Sequence, residues 1–287
     1  MQRLLFIIIF FTNCSLMLAN TKIYSGNFEQ TLSYEDIYKK FENADVLILG
    51  EEHNDKIGHE WKLNLIKNFF PKINFSISME MFERDQQLIL NEYLQGLIDE
   101  PMFEENMRLW NNYKTDYKPI VEFAKEHKIR IIASNAPRRY VRAVSRKGVE
   151  VWHSFSPLAE TFLPTLSKVQ EYRQKEYEEK FLLAMGMDVV HSQKMENFLL
   201  AQHIWDESMA ECIAREIELN KKKVIHINGR FHSDEYYGVS YRLKSKGYKL
   251  VTVSIIPKEG STQDLKILKL ADFIVLTKKE EKQDERK

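Results

Sequence analysis

Val46-Leu47-Ile48-Leu49-Gly50-Glu51-Glu52-His53 is an apolar run that stops at a glycine and then delivers three ionisable side chains. An apolar run without polar interruption is expected of a strand buried on both faces, as in a parallel sheet covered by helices. The same pattern recurs along the chain. Phe75, Ile77 and Met79 alternate up to Glu80-Met81-Phe82. Residues 129–133 lead into Ser134-Asn135-Ala136-Pro137-Arg138, and residues 224–227 into Asn228-Gly229-Arg230-Phe231-His232. Residues 250–256 and 273–276 are further strand candidates. Helical patterns fall between these runs: Trp61, Leu65 and Phe69 at four-residue steps, then Leu90, Leu94 and Leu97, then residues 120–124 behind Pro119. Proline suits a helix start because its fixed φ is already helical. This alternation predicts an α/β fold, a parallel sheet with right-handed crossovers, flanked by helices.

Residues 138–220 interrupt the rhythm. They are rich in Glu, Lys, Tyr and Met, without a strong strand signal, and predict a helical insert subdomain within a domain spanning residues 20–277. The last helix of the insert carries Phe198, Gln202, Trp205, Met209 and Ile213 on one face. Gln202 and Asp206 are odd on an apolar face and are expected to hydrogen-bond across a cleft or to edge it.

Residues 1–19 have the layout of a secretory signal peptide: positive charge in Met1-Gln2-Arg3, an unbroken apolar run over residues 4–11, then small and polar residues. The run falls short of the roughly 20 apolar residues of a membrane-spanning helix. Two cleavages are open: before Cys14, which would then carry a lipid, or near Ala19. Either predicts export to a bacterial cell envelope, membrane-anchored or periplasmic. Cys212 is the only other cysteine, so no internal disulfide is expected in the mature part. Residues 278–287 are charged almost throughout and are read as a disordered tail. The formal net charge is +0, which argues against bulk electrostatic binding of nucleic acid. An anion site must be a local cluster.

In open parallel sheets, ligands bind outside the carboxyl ends of the strands. Glu51, Glu52, His53, His59, Glu80, Asn135 and His232 follow strand candidates and form the expected polar cluster. Several are of metal-binding type, yet His53 and His59 lack the four-residue helical spacing of a zinc protease. The same residues could instead satisfy buried backbone groups. Gly50 and Gly229 are read as tight strand exits. Arg138, Arg139, Arg142, Arg146 and Lys147 form a basic run suited to carboxylates, or simply a solvated face. Tyr113, Tyr117, Tyr140, Tyr236 and Tyr237 lie near the motifs. No Gly-x-Ser-x-Gly elbow, cysteine–histidine signature, phosphate loop or dinucleotide fingerprint is present.

Five separated blocks resemble the ChaN-like haem-binding lipoproteins of the haem-uptake/Tiki superfamily, over about residues 44–243. They are Gly50-Glu51-Glu52-His53 with His59; Glu80-Met81-Phe82; Trp110, Tyr117 and Asn135-Ala136-Pro137-Arg138; Ala201-Gln202, Trp205-Asp206 and Met209-Ala210; and Gly229, His232 and Tyr237-Gly238-Val239. The last block departs from the family by carrying the bulky Phe231. The resemblance implies haem as the ligand, a role in haem or iron uptake or storage at the envelope, a tyrosine as iron ligand, and a homodimer around stacked haems. Tyr140 is the first candidate ligand, because Arg138 and Arg142 beside it favour a phenolate and suit propionates. Tyr117 is the second. His53 and His232 are expected to give their ring protons to neighbouring carboxylates. Two other functions stand beside this one: a metal-dependent hydrolase with Glu51 or Glu52 as general base, and a non-catalytic envelope interaction module.

Overall fold

The computed structural model describes residues 21–186, 192–258, 265 and 269–278. The expected signal segment with Cys14 lies outside the described residues, as do residues 279–287 of the charged tail.

The strands are β1 (Thr21–Ser25), β2 (Thr31–Leu32), β3 (Val46–Glu51), β4 (Phe75–Glu83), β5 (Ile131–Asn135), β6 (Lys223–Gly229), β7 (Leu250–Pro257) and β8 (Phe273–Thr277). They form one sheet in the order β2-β1-β8-β7-β3-β6-β4-β5. β3 to β8 run parallel. β1 pairs antiparallel with both β8 and β2, so one edge of the α/β sheet is antiparallel.

β3 shows why its run is unbroken. Leu47 and Leu49 pack on one face with Trp61, Leu65 and Phe69, while Val46 and Ile48 pack on the other with Met209, Ile213 and Val239. All of β3 is buried. Each such aliphatic side chain contributes roughly 1.5–3 kcal/mol by leaving water. Trp61, Leu65 and Phe69 belong to the helix Lys56–Phe69. Leu97, read as helical, lies beyond the helix Gln87–Leu94 and is exposed, because Gly96 turns the chain at φ +75°.

Between β5 and β6 the described residues hold helices and no strand. The longest is Gln193–Asn220, started by Ser192, whose hydroxyl accepts from Met195 N–H. It does not stand apart from the sheet. Leu200, Ala201 and Ile204 pack on Val141, Val144 and Trp152 of the preceding helices, whereas Met209, Ala210 and Ile213 pack on the sheet itself. The same helix therefore closes the helical stretch and serves as the crossover into β6.

The chain steps from β3 outward to β4 and β5, then returns to place β6 between β3 and β4. From there it crosses β3 to β7 and β8. This reversal opens a crevice at the carboxyl ends of β3, β6 and β4, where such sheets hold ligands.

Candidate functional site

β3 ends at Glu51, which lies opposite Gly229 of β6. The β4–β6 ladder ends at Met79 opposite Ile227. Gly229 N–H therefore lacks a backbone acceptor from β4, and Glu80 Oε2 accepts it at 2.7 Å. β4 continues past Glu80 to Glu83 after a register shift against β5, three residues further than the sequence pattern suggested. A Cβ at position 229 would lie 2.6 Å from His53 Nε2. Glycine is required there by close approach, since its φ of −58° suits any residue.

Glu51 is the centre of one network. The Tyr117 hydroxyl donates to Oε1 at 2.6 Å, and His53 Nδ1 lies 3.1 Å from the same oxygen. The Lys62 ammonium sits on Oε2, and both side chains are enclosed. Lys62 also donates to His59 Nδ1 at 3.0 Å. An ammonium has no lone pair, so His59 must accept there and donate from Nε2 to the His53 carbonyl, 3.1 Å away. His59 is thus a neutral imidazole, and burial holds its pKa below the ordinary value. Burial works to lower the Lys62 pKa, against the pull of Asp116, and the Glu51 carboxylate on which its nitrogen sits keeps the proton there. The hydrolase alternative needs open carboxylate and imidazole ligands. Here Glu51 already carries a cation, and both nitrogens of His59 are engaged. Among the described residues, no three His, Cys, Asp or Glu side chains converge as a metal site.

His232 centres a second network. Its Nδ1 lies 2.6 Å from Asp206 Oδ1, and its Nε2 lies 3.6 Å from Glu80 Oε1. Burial opposes charge on this imidazole, but Glu80 and Asp206 outweigh it and push the pKa up to about 9. Burial likewise works to raise Asp206, and His232 and Arg242 reverse that, leaving its pKa below the ordinary value. Gln202 Nε2 donates to the Tyr177 hydroxyl at 2.7 Å and lies beside His232. The two odd polar groups of the long helix are thus its contribution to this crevice.

His53 links the networks to solvent. Its side chain is 42% exposed, and the edge of Trp110 lies against it with ring centroids 4.8 Å apart. Glu51, His53, Gly229, Phe231 and His232 help line a cleft of about 330 Å³. Phe231 forms a wall by packing on Tyr177 and Phe181. Glu52 also lines this cleft and pairs there with Arg230, 3.1 Å away. One member of the expected cluster stands off from it. Asn135 ends β5 opposite Glu83, and its carboxamide oxygen has no hydrogen-bond partner among the described residues.

On the far side of Trp110 lies a larger groove of about 610 Å³, lined in part by Leu109, Arg108, Arg138, Arg139 and Arg142. Asp85 accepts from Arg108 Nη2 and from Arg139 Nη1, each at 2.5 Å. Arg138 and Arg142 stand one turn apart on one helix face, and among the described residues neither has a carboxylate partner. Tyr140 shares their helix but is not part of the groove wall. It is half-buried, its ring packs 4.9 Å from Phe155, and its hydroxyl accepts from Arg139 Nη2 at 3.2 Å. Tyr117 is fully buried, and burial pushes its phenol well above the ordinary tyrosine value. Its hydroxyl serves Glu51 instead of facing an opening.

A sequence profile of the family described as "Haem-binding uptake, Tiki superfamily, ChaN" matches residues 37–243. The chain belongs to this family. The fold agrees: the ChaN-family chain superposes on a solved structure described as "Cofacial heme binding to ChaN of Campylobacter jejuni" with a TM-score of 0.67 and 19% identity, over 91% of this chain and 98% of that one. A succinoglycan biosynthesis protein superposes with a TM-score of 0.54 and 13% identity, over 85% and 90% of the two chains. At these identities the likeness establishes the fold alone. A curated relative, the chloroplastic protein RETICULATA-RELATED 5 of Arabidopsis thaliana, is 23% identical over 124 residues, 39% of this ChaN-family chain but only 16% of the relative's length.

Lys62, Asp85, Arg108, Tyr177 and Arg242 gave no separate sequence signal. Lys62 follows Trp61 on a helix read for its apolar face, and nothing local marks it as buried.

Proposed function

We propose that this protein binds haem at a bacterial cell envelope and serves in haem or iron uptake or storage. The observation that carries the reading is the groove beside Trp110. It sets two unpaired guanidiniums, Arg138 and Arg142, next to an apolar wall of Leu109 and Trp110. A flat, apolar ligand with two carboxylates fits that combination, because guanidinium forks pair with carboxylates and aromatic walls accept a macrocycle. Haem has that chemistry.

Bound haem supplies a ferric iron that accepts a phenolate ligand. Tyr140 is the proposed ligand, since its hydroxyl is held by Arg139, a residue of the groove, whereas Tyr117 is enclosed. Arg138 and Arg142 would orient the propionates. A homodimer around the ligand and export directed by residues 1–19 belong to the same reading, supported by the family and by the charged and apolar start of the chain. Envelope fractionation and fatty-acid labelling of Cys14 test the export.

The central experiment is a hemin titration of the purified protein, followed by absorption. Tyr140→Phe keeps the ring and removes only the oxygen, so it should change the ferric spectrum and lower affinity. The double variant Arg138→Gln/Arg142→Gln should weaken binding roughly tenfold with the spectrum retained. An unchanged spectrum and affinity in Tyr140→Phe would remove that residue as ligand. Failure of the wild type to bind hemin would remove the function.

A further inference from the structure

The arginine groove is less basic than its composition suggests. Arg108, Arg138, Arg139 and Arg142 all line it, yet half of that charge is cancelled. Asp85 and Glu83 each cancel one charge, and Asp85 is the one that holds two of the arginines. It sits in the short turn Arg84–Gln86 that follows β4, and its side chain is only 9% exposed. One carboxylate oxygen takes Arg108 and the other takes Arg139, each at 2.5 Å. Glu83 adds a second acceptor for Arg108, 2.9 Å from its Nε. The exposed ends of Arg138 and Arg142 remain as the two unneutralised cations.

We infer that Asp85 is a specificity-determining residue: it holds the groove to two free guanidiniums and thereby selects porphyrins with two carboxylates over those with more. This rests on the haem-binding reading and names what that reading leaves open, the number of ligand carboxylates the groove accepts. The physical reason is charge matching. A ligand carboxylate brought into the groove without a free cation loses water and meets the carboxylates of Asp85 and Glu83. Either arginine can turn to it only by giving up its bond to Asp85, and the departure of both would leave Asp85 buried and unpaired, which is costly. Removing the charge of Asp85 should release Arg139, and partly Arg108, for additional carboxylates.

Metal-free porphyrins isolate this effect from iron ligation by any tyrosine. Protoporphyrin carries two carboxylates and coproporphyrin four, and quenching of tryptophan or porphyrin fluorescence reports binding of each. The wild type should prefer the dicarboxylate. Asp85→Asn should shift the affinity ratio toward the tetracarboxylate by roughly two- to fivefold, the scale of one solvent-accessible ion pair. Arg139→Gln provides the opposite sign at a half-exposed position that tolerates change. It leaves Asp85 wholly to Arg108 and should sharpen the preference for the dicarboxylate. Thermal melts of both variants show whether each is folded, and the Arg139→Gln result stands even if Asp85→Asn is not. A wild type that binds the dicarboxylate, with a ratio that moves in neither folded variant, would overturn the role of Asp85 and leave the haem reading intact. A wild type that binds hemin but neither metal-free porphyrin would overturn the selection by the groove and leave the haem reading intact, whereas one that binds neither porphyrin nor hemin would overturn both.

Discussion

Alkaline pH should loosen the crevice through a single imidazole. His232 is held between Asp206 and Glu80, and its pKa is pushed up to about 9 from an ordinary 6.5. The sign follows from that direction. The folded state holds the proton more tightly than the unfolded chain, so the stabilisation is complete below the unfolded value of 6.5 and is lost as pH rises through about 9. At about 1.4 kcal/mol per pKa unit, the difference amounts to something on the order of 3 kcal/mol. That is a large fraction of the roughly 5–15 kcal/mol that keeps a domain folded. Urea unfolding at several pH values across this window, on the wild type and on His232→Gln, measures it. Glutamine keeps a donor for Asp206 but does not titrate, so the difference between the two profiles belongs to His232. Other groups titrating in the window cancel. The wild type should lose the larger share of its stability with rising pH, and Asp206→Asn should move that loss to lower pH. Parallel profiles for wild type and His232→Gln would refute the reasoning.

Lys62→Met should cost roughly 3–5 kcal/mol in chemical denaturation, because it leaves the buried Glu51 carboxylate without its cation; adding Glu51→Gln should recover part of the loss in a double-mutant cycle. Gln87 caps the free edge of β5, donating to Ile131 O at 2.9 Å and accepting from Ala133 N at 2.7 Å. Gln87→Ala should therefore cost roughly 1–3 kcal/mol and raise light scattering at high protein concentration, since an uncovered strand edge invites pairing between chains.

The strands legible in the sequence were those that the fold covers on both faces. β3, β5, β6 and β7 are near-continuous apolar runs, because helices bury both of their sides. β1 and β2 were not legible. Thr21–Ser25 carries only one buried side chain, Ile23, and is fixed by antiparallel pairing with β8, a contact between residues more than two hundred positions apart. The site divides in the same way. His53, Glu80 and His232 were visible because each follows an apolar run, and Gln202 and Asp206 because they interrupt an apolar helix face. Lys62 and Arg242 were invisible. Lysine and arginine are normally outside, and only the three-dimensional placement of Glu51, Asp206 and Glu207 gives these two a reason to be buried. Asp85 was hidden for another reason: its two partners come from Arg108 and Arg139, on separate segments that meet only in the fold.

The buried charges do not explain themselves by stability. An ion pair taken out of water gains in attraction about what it loses in hydration, and a well-packed apolar substitute often does as well. What such a network can do is hold geometry. Glu51 fixes the Tyr117 hydroxyl and His53 Nδ1, and the backbone carbonyl of His53 in turn accepts from Asn112 Nδ2 at 2.7 Å. Asn112 also bonds Asp116, so the segment from Trp110 to Tyr117 is tied to the end of β3 at several points. Residues 110–112 of that segment line the arginine groove, and Trp110 packs on His53, which lines the small cleft, so Trp110 and His53 together are the partition between the two; Arg108 and Leu109 enter the groove from the near end of the segment. The Glu51–Lys62 pair therefore acts at a distance from any ligand, through the placement of Trp110 and Arg108. This account separates two kinds of damage. A change at Arg138 or Arg142 should weaken a bound carboxylate while leaving the partition in place. A change at Lys62 that still permits folding should let the partition shift, and so disturb ligand binding in the groove without altering any residue that lines it.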